Sequence, residues 1–294
     1  MSSIALGPEA RAVPRVLPQR ALMALLQAVL AALLAFAPGA AAAGDSWPAN
    51  VKAIYDVALN GFNIGTFEFQ SQAEQQSYTL TGSAHLSMLL GAVTWNSQTR
   101  SFGLITEAVQ PAHFSFNFKS NLRAGSTSIG FADGDVTDVR HLPPIPARPD
   151  TIPLREQHLK GVLDPLSAML AIFHSQGPDP CEHRVPIFDG RERFDLVFTP
   201  KREMKLSEAT ASGQPAVAYV CRVKYVAIAG HQVDAATKFM VANEEIEVAL
   251  RPIPSARVFI PHQIVVPTLV GAATLTSKRV EIVSPGKPQI ALMQ

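Results

Sequence analysis

The sequence predicts a mainly β protein: a large, strongly curved antiparallel sheet or partial barrel with one central helix packed on it, preceded by an N-terminal signal-peptide helix. Three observations carry that expectation. Apolar and polar residues alternate with period two over most of the chain, as at 113–119, where Phe114, Phe116 and Phe118 interleave with Ser115, Asn117 and Lys119. Turn dipeptides Asn60-Gly61, Asp133-Gly134 and Asp189-Gly190 separate extended runs, the signature of tight hairpins whose central residues need positive φ. The mature chain carries one convincing helical pattern, in which Leu166, Met169, Leu170 and Phe173 recur at spacings of three and four and form one apolar stripe suited to lie on a sheet.

The N-terminus sets the address. Arg11, Arg15 and Arg20 precede an apolar run from Ala21 to Phe36 broken only by Gln27, and Pro38-Gly39 leads into four alanines, Ala40 to Ala43. A basic region, a short apolar core and a small-residue cleavage site make a secretory signal peptide over 1–43, cut near Ala43. An uncleaved anchor is the alternative, although the run is short for a span. The absence of a cysteine at the cleavage point disfavours a lipoprotein. Export through a cleavable leader implies a periplasmic protein with no stable membrane span after cleavage.

Composition narrows the function classes. With 294 residues, 47% hydrophobic and 17% charged, the chain can bury a full core. A formal charge of +1 leaves no basic footprint for nucleic acid. Removing the leader takes away three basic residues and Glu9, so the remainder is close to neutral and its partners are sought in shape rather than charge.

Beyond a linker at 44–50, a single β-rich domain spans 51–285. Its first meander, 51–140, begins with 51–59 and 64–69 joined through Asn60-Gly61. It continues through 78–86, 93–102, 104–109, 113–119, 126–131 and 136–139. Five prolines in 141–153 then deny a ladder its N–H donors and make a rigid strap, with recognition by a proline-binding partner as the alternative. The helical insert, 154–177, starts where Asp164 caps by accepting from free backbone N–H groups and Pro165 takes the first helical position; Gly177-Pro178 closes it. A second set of strands fills 185–285, with Val217, Tyr219, Cys221, Val223 and Tyr225 on one face and further strands at 238–242, 246–250, 258–260, 264–267, 269–275 and 279–282. A tail follows at 286–294.

Two cysteines, Cys181 and Cys221, in an exported chain permit one intramolecular pairing and are expected to be bonded. The loop closed is 40 residues, and chain entropy puts the stabilisation at roughly 3 to 4 kcal/mol. Two separate buried thiols are the alternative.

The order of a YDV…NGFNIG hairpin at 55–65, GVLDPLSAML at 161–170, PIFDGRERFDL at 186–196 and VVPTLVGAATL at 265–275 resembles the bacterial exported family known as domain of unknown function 3108, over roughly 50–285. The resemblance implies a secreted or periplasmic β-rich protein and supplies no catalytic residue or cofactor. A curved sheet cupping a helix is more loosely similar to periplasmic lipoprotein carriers, which hold acyl chains on the concave face; architecture by itself does not imply function.

Motifs for chemistry are sparse. No G-x-S-x-G elbow occurs, and residues 125–130 (GSTSIG) have the wrong spacing. His141, His158, His174 and His183 flank the helix without a metal-ligand pattern, and phosphate-cradling loops are missing. Asp164 and Ser167 are accounted for by helix initiation, and Glu244, Glu245 and Glu247 by a solvated strand face. Catalytic, metal-binding and cofactor-binding residues are therefore assigned to none. Phe114, Phe116, Phe118, Phe173, Tyr219 and Val223 either fill the interior or line a cleft for an apolar ligand. The resulting expectation is a non-enzymatic exported β-domain protein that binds a lipid, another apolar ligand or an envelope protein. The alternative is an envelope hydrolase or lyase with dispersed catalytic residues.

Overall fold

The computed structural model describes residues 47–293 apart from 75, 107, 147 and 175–178. The predicted leader at 1–43 and the helix stop at Gly177-Pro178 lie outside the described residues.

Among the described residues, fourteen strands form one antiparallel sheet. The first meander comprises β1 (Asn50–Leu59), β2 (Phe62–Glu74), β3 (Ser77–Met88), β4 (Val93–Ile105), β5 (Val109–Ser120), β6 (Ala124–Ala132) and β7 (Asp135–Leu142). The second comprises β8 (His183–Phe188), β9 (Arg193–Lys205), β10 (Val217–Ala229), β11 (Glu247–Ile253), β12 (Val258–Thr268) and β13 (Gly271–Val283). Each meander pairs its strands in chain order, and β1 pairs with β13 to join the two. Asn60-Gly61 and Asp133-Gly134 turn with positive φ at both residues, as their hairpins require.

The sheet is open, which corrects the expectation of a strongly curved sheet or partial barrel. Its order runs β7-β6-β5-β4-β3-β2-β1-β13-β12-β11-β10-β9-β8, and no ladder joins β7 to β8. The reason lies at the edge. Leu163, in the segment leading to the helix, donates its N–H to the Pro186 carbonyl and accepts from the Phe188 N–H, both at 2.9 Å. The outer side of β8 is thus satisfied by the incoming chain, and Pro186, which has no N–H to offer a ladder, sits on this edge strand.

Three further elements differ from expectation. Residues 238–242, read as strand, belong to the helix α2 (Ala235–Ala242; α1 is Pro165–Phe173). Asp234 accepts from the Thr237 N–H at 2.8 Å, and Ala235-Ala236 behind that cap favour helix over strand. The tail contains β14 (Ile290–Met293), which pairs with β13 at Arg279–Ile282, just past the point where β12 leaves β13 at Thr276. Leu269 and Val270 form the β12–β13 turn rather than the start of a strand.

Helix α1 packs against β3, β4, β5, β8 and β12. Leu166, Leu170 and Phe173 are buried and Met169 is half-buried against the core; Ser167, Ala168 and Ile172 are buried too, so the helix is enclosed on more than the one expected stripe. Cys181 and Cys221 are bonded, tying the chain beyond α1 to β10. A second cluster, built on Tyr55, Ile253, Val280 and Ile282, fills the space under β14.

Candidate functional site

Four adjacent strands place a two-residue apolar step side by side. Pairing sets Leu196 opposite Tyr225 and Phe198 opposite Val223 between β9 and β10, and Val248 opposite Ile264 between β11 and β12. The Val223 N–H bonds the Ile246 carbonyl at 2.8 Å, bringing Ile246 into the same surface. Because side chains two apart share a face, this patch is apolar along and across the strands. Met169, Ile172 and Phe173 of α1 cover it, and Met240 of α2 closes one side. The covering is incomplete, and the gap is a cavity of about 210 Å³ lined by twelve side chains, among them Val266 and no charged residue. Tyr225 carries the one polar atom of these side chains in its hydroxyl, which donates to Glu192 Oε2 at 3.3 Å. Burial, reinforced by Glu192, pushes the Tyr225 phenol well above its usual range.

The roof is held where it is by a buried polar network. Asp164 Oδ1 accepts from the Leu166 and Ser167 N–H groups at 3.0 Å each, and Asp164 Oδ2 accepts from the Ser101 hydroxyl at 2.9 Å and the Ser167 hydroxyl at 2.5 Å. Tyr78 Oη lies 2.7 Å from Ser167 Oγ. All four residues are buried, so α1 is bolted to β3 and β4 through its first turn. Burial raises the Asp164 carboxyl above the ordinary range despite four hydrogen bonds that favour its charged form. Beyond its C-terminal end the disulfide ties Cys181 to Cys221 of β10, at a Cα separation of 5.2 Å. The bonds of the first turn fix α1 against β3 and β4, and the space lies beneath its other end, at Met169, Ile172 and Phe173.

Of the six side chains singled out from sequence, Phe173 and Val223 line the cavity. Phe114 is buried in the main core, Phe118 stacks on Trp95 at 4.5 Å and on Phe116 at 5.9 Å, and Tyr219 meets Phe259 edge-on. Leu196, Phe198, Ile246, Val248, Ile264 and Val266 were not distinguished by sequence, and their signal is the repeated pair of apolar residues two apart on successive strands; Met240, on α2, carries no such signal.

A second cleft, of about 430 Å³, opens beside the other flank of α1 between Trp47, Ile105, Val109, His174, His183 and Arg184. His174 stacks on Trp47 at 3.7 Å and His183 on Phe198 at 4.3 Å. Burial lowers the pKa of both imidazoles. The remaining two histidines near the helix have structural bonds: His141 Nε2 lies 3.1 Å from the Gly190 carbonyl, and His158 Nδ1 accepts from the Arg155 N–H. Glu247, expected on a solvated face, pairs with Lys201 and Arg202. Among the described residues no three His, Cys, Asp or Glu side chains converge as a metal site, and no helix is long and apolar enough to cross a membrane.

Among solved structures the chain is similar to a beta-barrel-like protein of domain of unknown function DUF1849 from Brucella abortus, with 12% identity and a TM-score of 0.52, over 81% of this chain and 99% of that one. At that identity the likeness concerns fold alone. No curated protein matches the chain. A family model matches residues 54–278. The protein belongs to the family described as Protein of unknown function (DUF3108).

Proposed function

We propose that this is an exported, non-enzymatic protein of the periplasm that binds an apolar, chain-like ligand in the cavity between α1, α2 and strands β9 to β12. The observation that carries the reading is an uncharged space of about 210 Å³ inside a pinned roof. Left empty, this partly open space leaves its apolar lining without partner atoms on one side, at a cost in packing. An aliphatic occupant removes that cost. The volume is below that of usual drug-sized pockets, and two methionines in the wall can shift to follow a flexible chain. The basic-apolar-small leader and the Cys181–Cys221 bond support export to an oxidising compartment.

Native mass spectrometry of the protein purified from the periplasm tests this. A bound mass that is released by organic extraction and absent from Val266→Phe, which fills the cavity, supports the reading. Ligand-free wild type that takes up no added fatty acid ends it.

The alternative, an envelope hydrolase or lyase, draws on the desolvated His174 and His183 in the other cleft. A turnover on envelope ester or glycan substrates that is lost in His183→Phe would favour it.

A further inference from the structure

The most exposed apolar side chains of the sheet lie at one end of its strands. Among the described residues, the large apolar side chains more than two-thirds exposed are Phe62, Leu89, Leu122, Leu142 and Val270. Strand pairing puts them on five consecutive tips: the end of β7, then the β5–β6, β3–β4, β1–β2 and β12–β13 turns. Extending the β2–β3 register, in which Gly65 faces Leu86, sets Phe62 level with Leu89; Phe62 pairs with Leu59 across the first hairpin, and Leu59 faces Ala273, three residues from Val270. At the opposite end the turns at 133–134, 206–216, 254–257 and 284–287 expose no large apolar side chain, while Phe102 and Leu104 near the end of β4 and Val283 at the end of β13 are exposed to a lesser degree.

The tips are built to be rigid and to leave few backbone groups wanting. The Asn60 side chain donates to the Val270 carbonyl at 3.0 Å and accepts from the Ala272 N–H at 2.9 Å, joining two turns. Asn121 donates to the Ala92 carbonyl at 2.6 Å, joining two more, and Ser120 Oγ accepts from the Leu122 and Arg123 N–H groups. Leu89 stands at φ +53°, a left-handed conformation that a leucine adopts at a cost, with its side chain in solvent where it repays nothing to the fold.

Charge and spacing identify the occupant. The segments 57–65, 86–95, 117–126, 140–146 and 266–273 contain no Asp or Glu and carry Lys119, Arg123 and Arg140, the last paired with Asp138 at 2.9 Å; the acidic residues of this end, Asp189, Glu192, Glu244 and Glu245, lie on the turns of the second meander. Strands stand about 4.8 Å apart, so successive tips are separated by roughly 10 Å. Single apolar fingers at that interval do not make the contiguous patch a folded partner needs. They suit the interfacial zone of a bilayer, where separate side chains enter between acyl chains, self-satisfied turns follow them, and basic residues meet anionic headgroups.

We propose that this rim of hairpin tips docks the protein onto the surface of an anionic phospholipid bilayer, without spanning it. The inference does not rest on the cavity reading. The residues Val223, Tyr225, Ile246 and Val266, which line the cavity, nevertheless sit toward the same ends of β10, β11 and β12 as the rim.

The test is flotation of the exported protein with vesicles of phosphatidylethanolamine and phosphatidylglycerol, compared with Phe62→Ser/Leu89→Asn/Val270→Ser. Asparagine tolerates the Leu89 conformation, so the triple variant is expected to melt no lower than wild type. Wild type is expected to float, less so as salt is raised, and the variant's apparent affinity to fall about a thousandfold, taking roughly tenfold for each of the three side chains withdrawn from the bilayer. Wild type that does not float, a folded triple variant that floats equally, or a wild-type dimer in solution that the triple variant abolishes would overturn the proposal. Ligand retained by the triple variant in native mass spectrometry separates rim from cavity.

Discussion

Replacing Asp164 by alanine isolates the bolt that holds the roof. The carboxylate accepts four hydrogen bonds, two from backbone N–H groups of the first turn and two from the buried Ser101 and Ser167 hydroxyls. Alanine removes an N-cap, which costs about 1 kcal/mol. It also strands buried donors, at about 1–3 kcal/mol where no other acceptor is reached. Ser101 and Ser167 lie 2.9 Å apart and can bond each other, and the cost of burying a carboxylate is relieved. The net expectation is a loss of about 3 kcal/mol, taking the cap and one to two stranded donors together. At roughly 2–4 °C per kcal/mol for a domain of this size, the melting point falls by about 6–12 °C. Asp164→Asn, which keeps an acceptor for the two N–H groups, should lose less. The sign of the pH dependence follows from a folded-state pKa raised above the unfolded value. The unfolded chain ionises first as pH rises, so wild-type stability falls across that window relative to Asp164→Asn, and the difference levels off once the folded carboxyl has ionised. Urea melts of the three proteins across pH 3–8 provide the measurement. A loss under about 1 kcal/mol for alanine would refute the idea that this network anchors the roof.

Other perturbations have defined outcomes. Reduction of the Cys181–Cys221 bond, or Cys181→Ser/Cys221→Ser, should lower stability by roughly 3 to 4 kcal/mol in chemical melts; an unchanged midpoint would show that the bond does not constrain the unfolded chain. His174, His183 and His262 have pKa values lowered by burial, so the unfolded chain takes up protons first and stability should fall as pH drops through the ordinary histidine range. His183→Phe, which keeps a ring against Phe198, should flatten part of that loss; an identical acid profile would contradict it. Gly103→Ala should fail to reach the native fold or lose most of its stability, because a Cβ there would stand 2.1 Å from the Gln110 carbonyl oxygen and 2.8 Å from Tyr78 Oη. Circular dichroism matching wild type at the same melting point would show that this approach is looser than described.

Local chemistry was readable and long-range geometry was not. Asn60-Gly61 and Asp133-Gly134 announce their turns because few residue pairs accept two positive φ values, and Asp164-Pro165 announces α1 because cap and first position have distinct requirements. Cys181 and Cys221 could pair with no one else. Helix α2 was missed because five residues, Lys238 to Ala242, are too few to separate the two periodicities, and the deciding signal lay upstream in Asp234 and two alanines. Closure of the sheet depends on what reaches the outer side of β8; that Leu163 does so, twenty residues earlier in the chain, has no local signature. The cavity is similar. Pairs such as Leu196/Phe198 and Ile264/Val266 show which side chains face inward, but whether inward side chains meet or leave space depends on where α1 stands, and its anchoring through Asp164 to Ser101 on β4 has no local signature.

The most direct measurement is a crystal of the protein grown with a terminally brominated fatty acid, read by anomalous scattering. A bromine peak enclosed by Met169, Phe198 and Val266, absent from Val266→Phe, is the expected result. Bromine found only on the outer surface, or an interior in which those side chains close upon one another, would contradict ligand binding in the cavity.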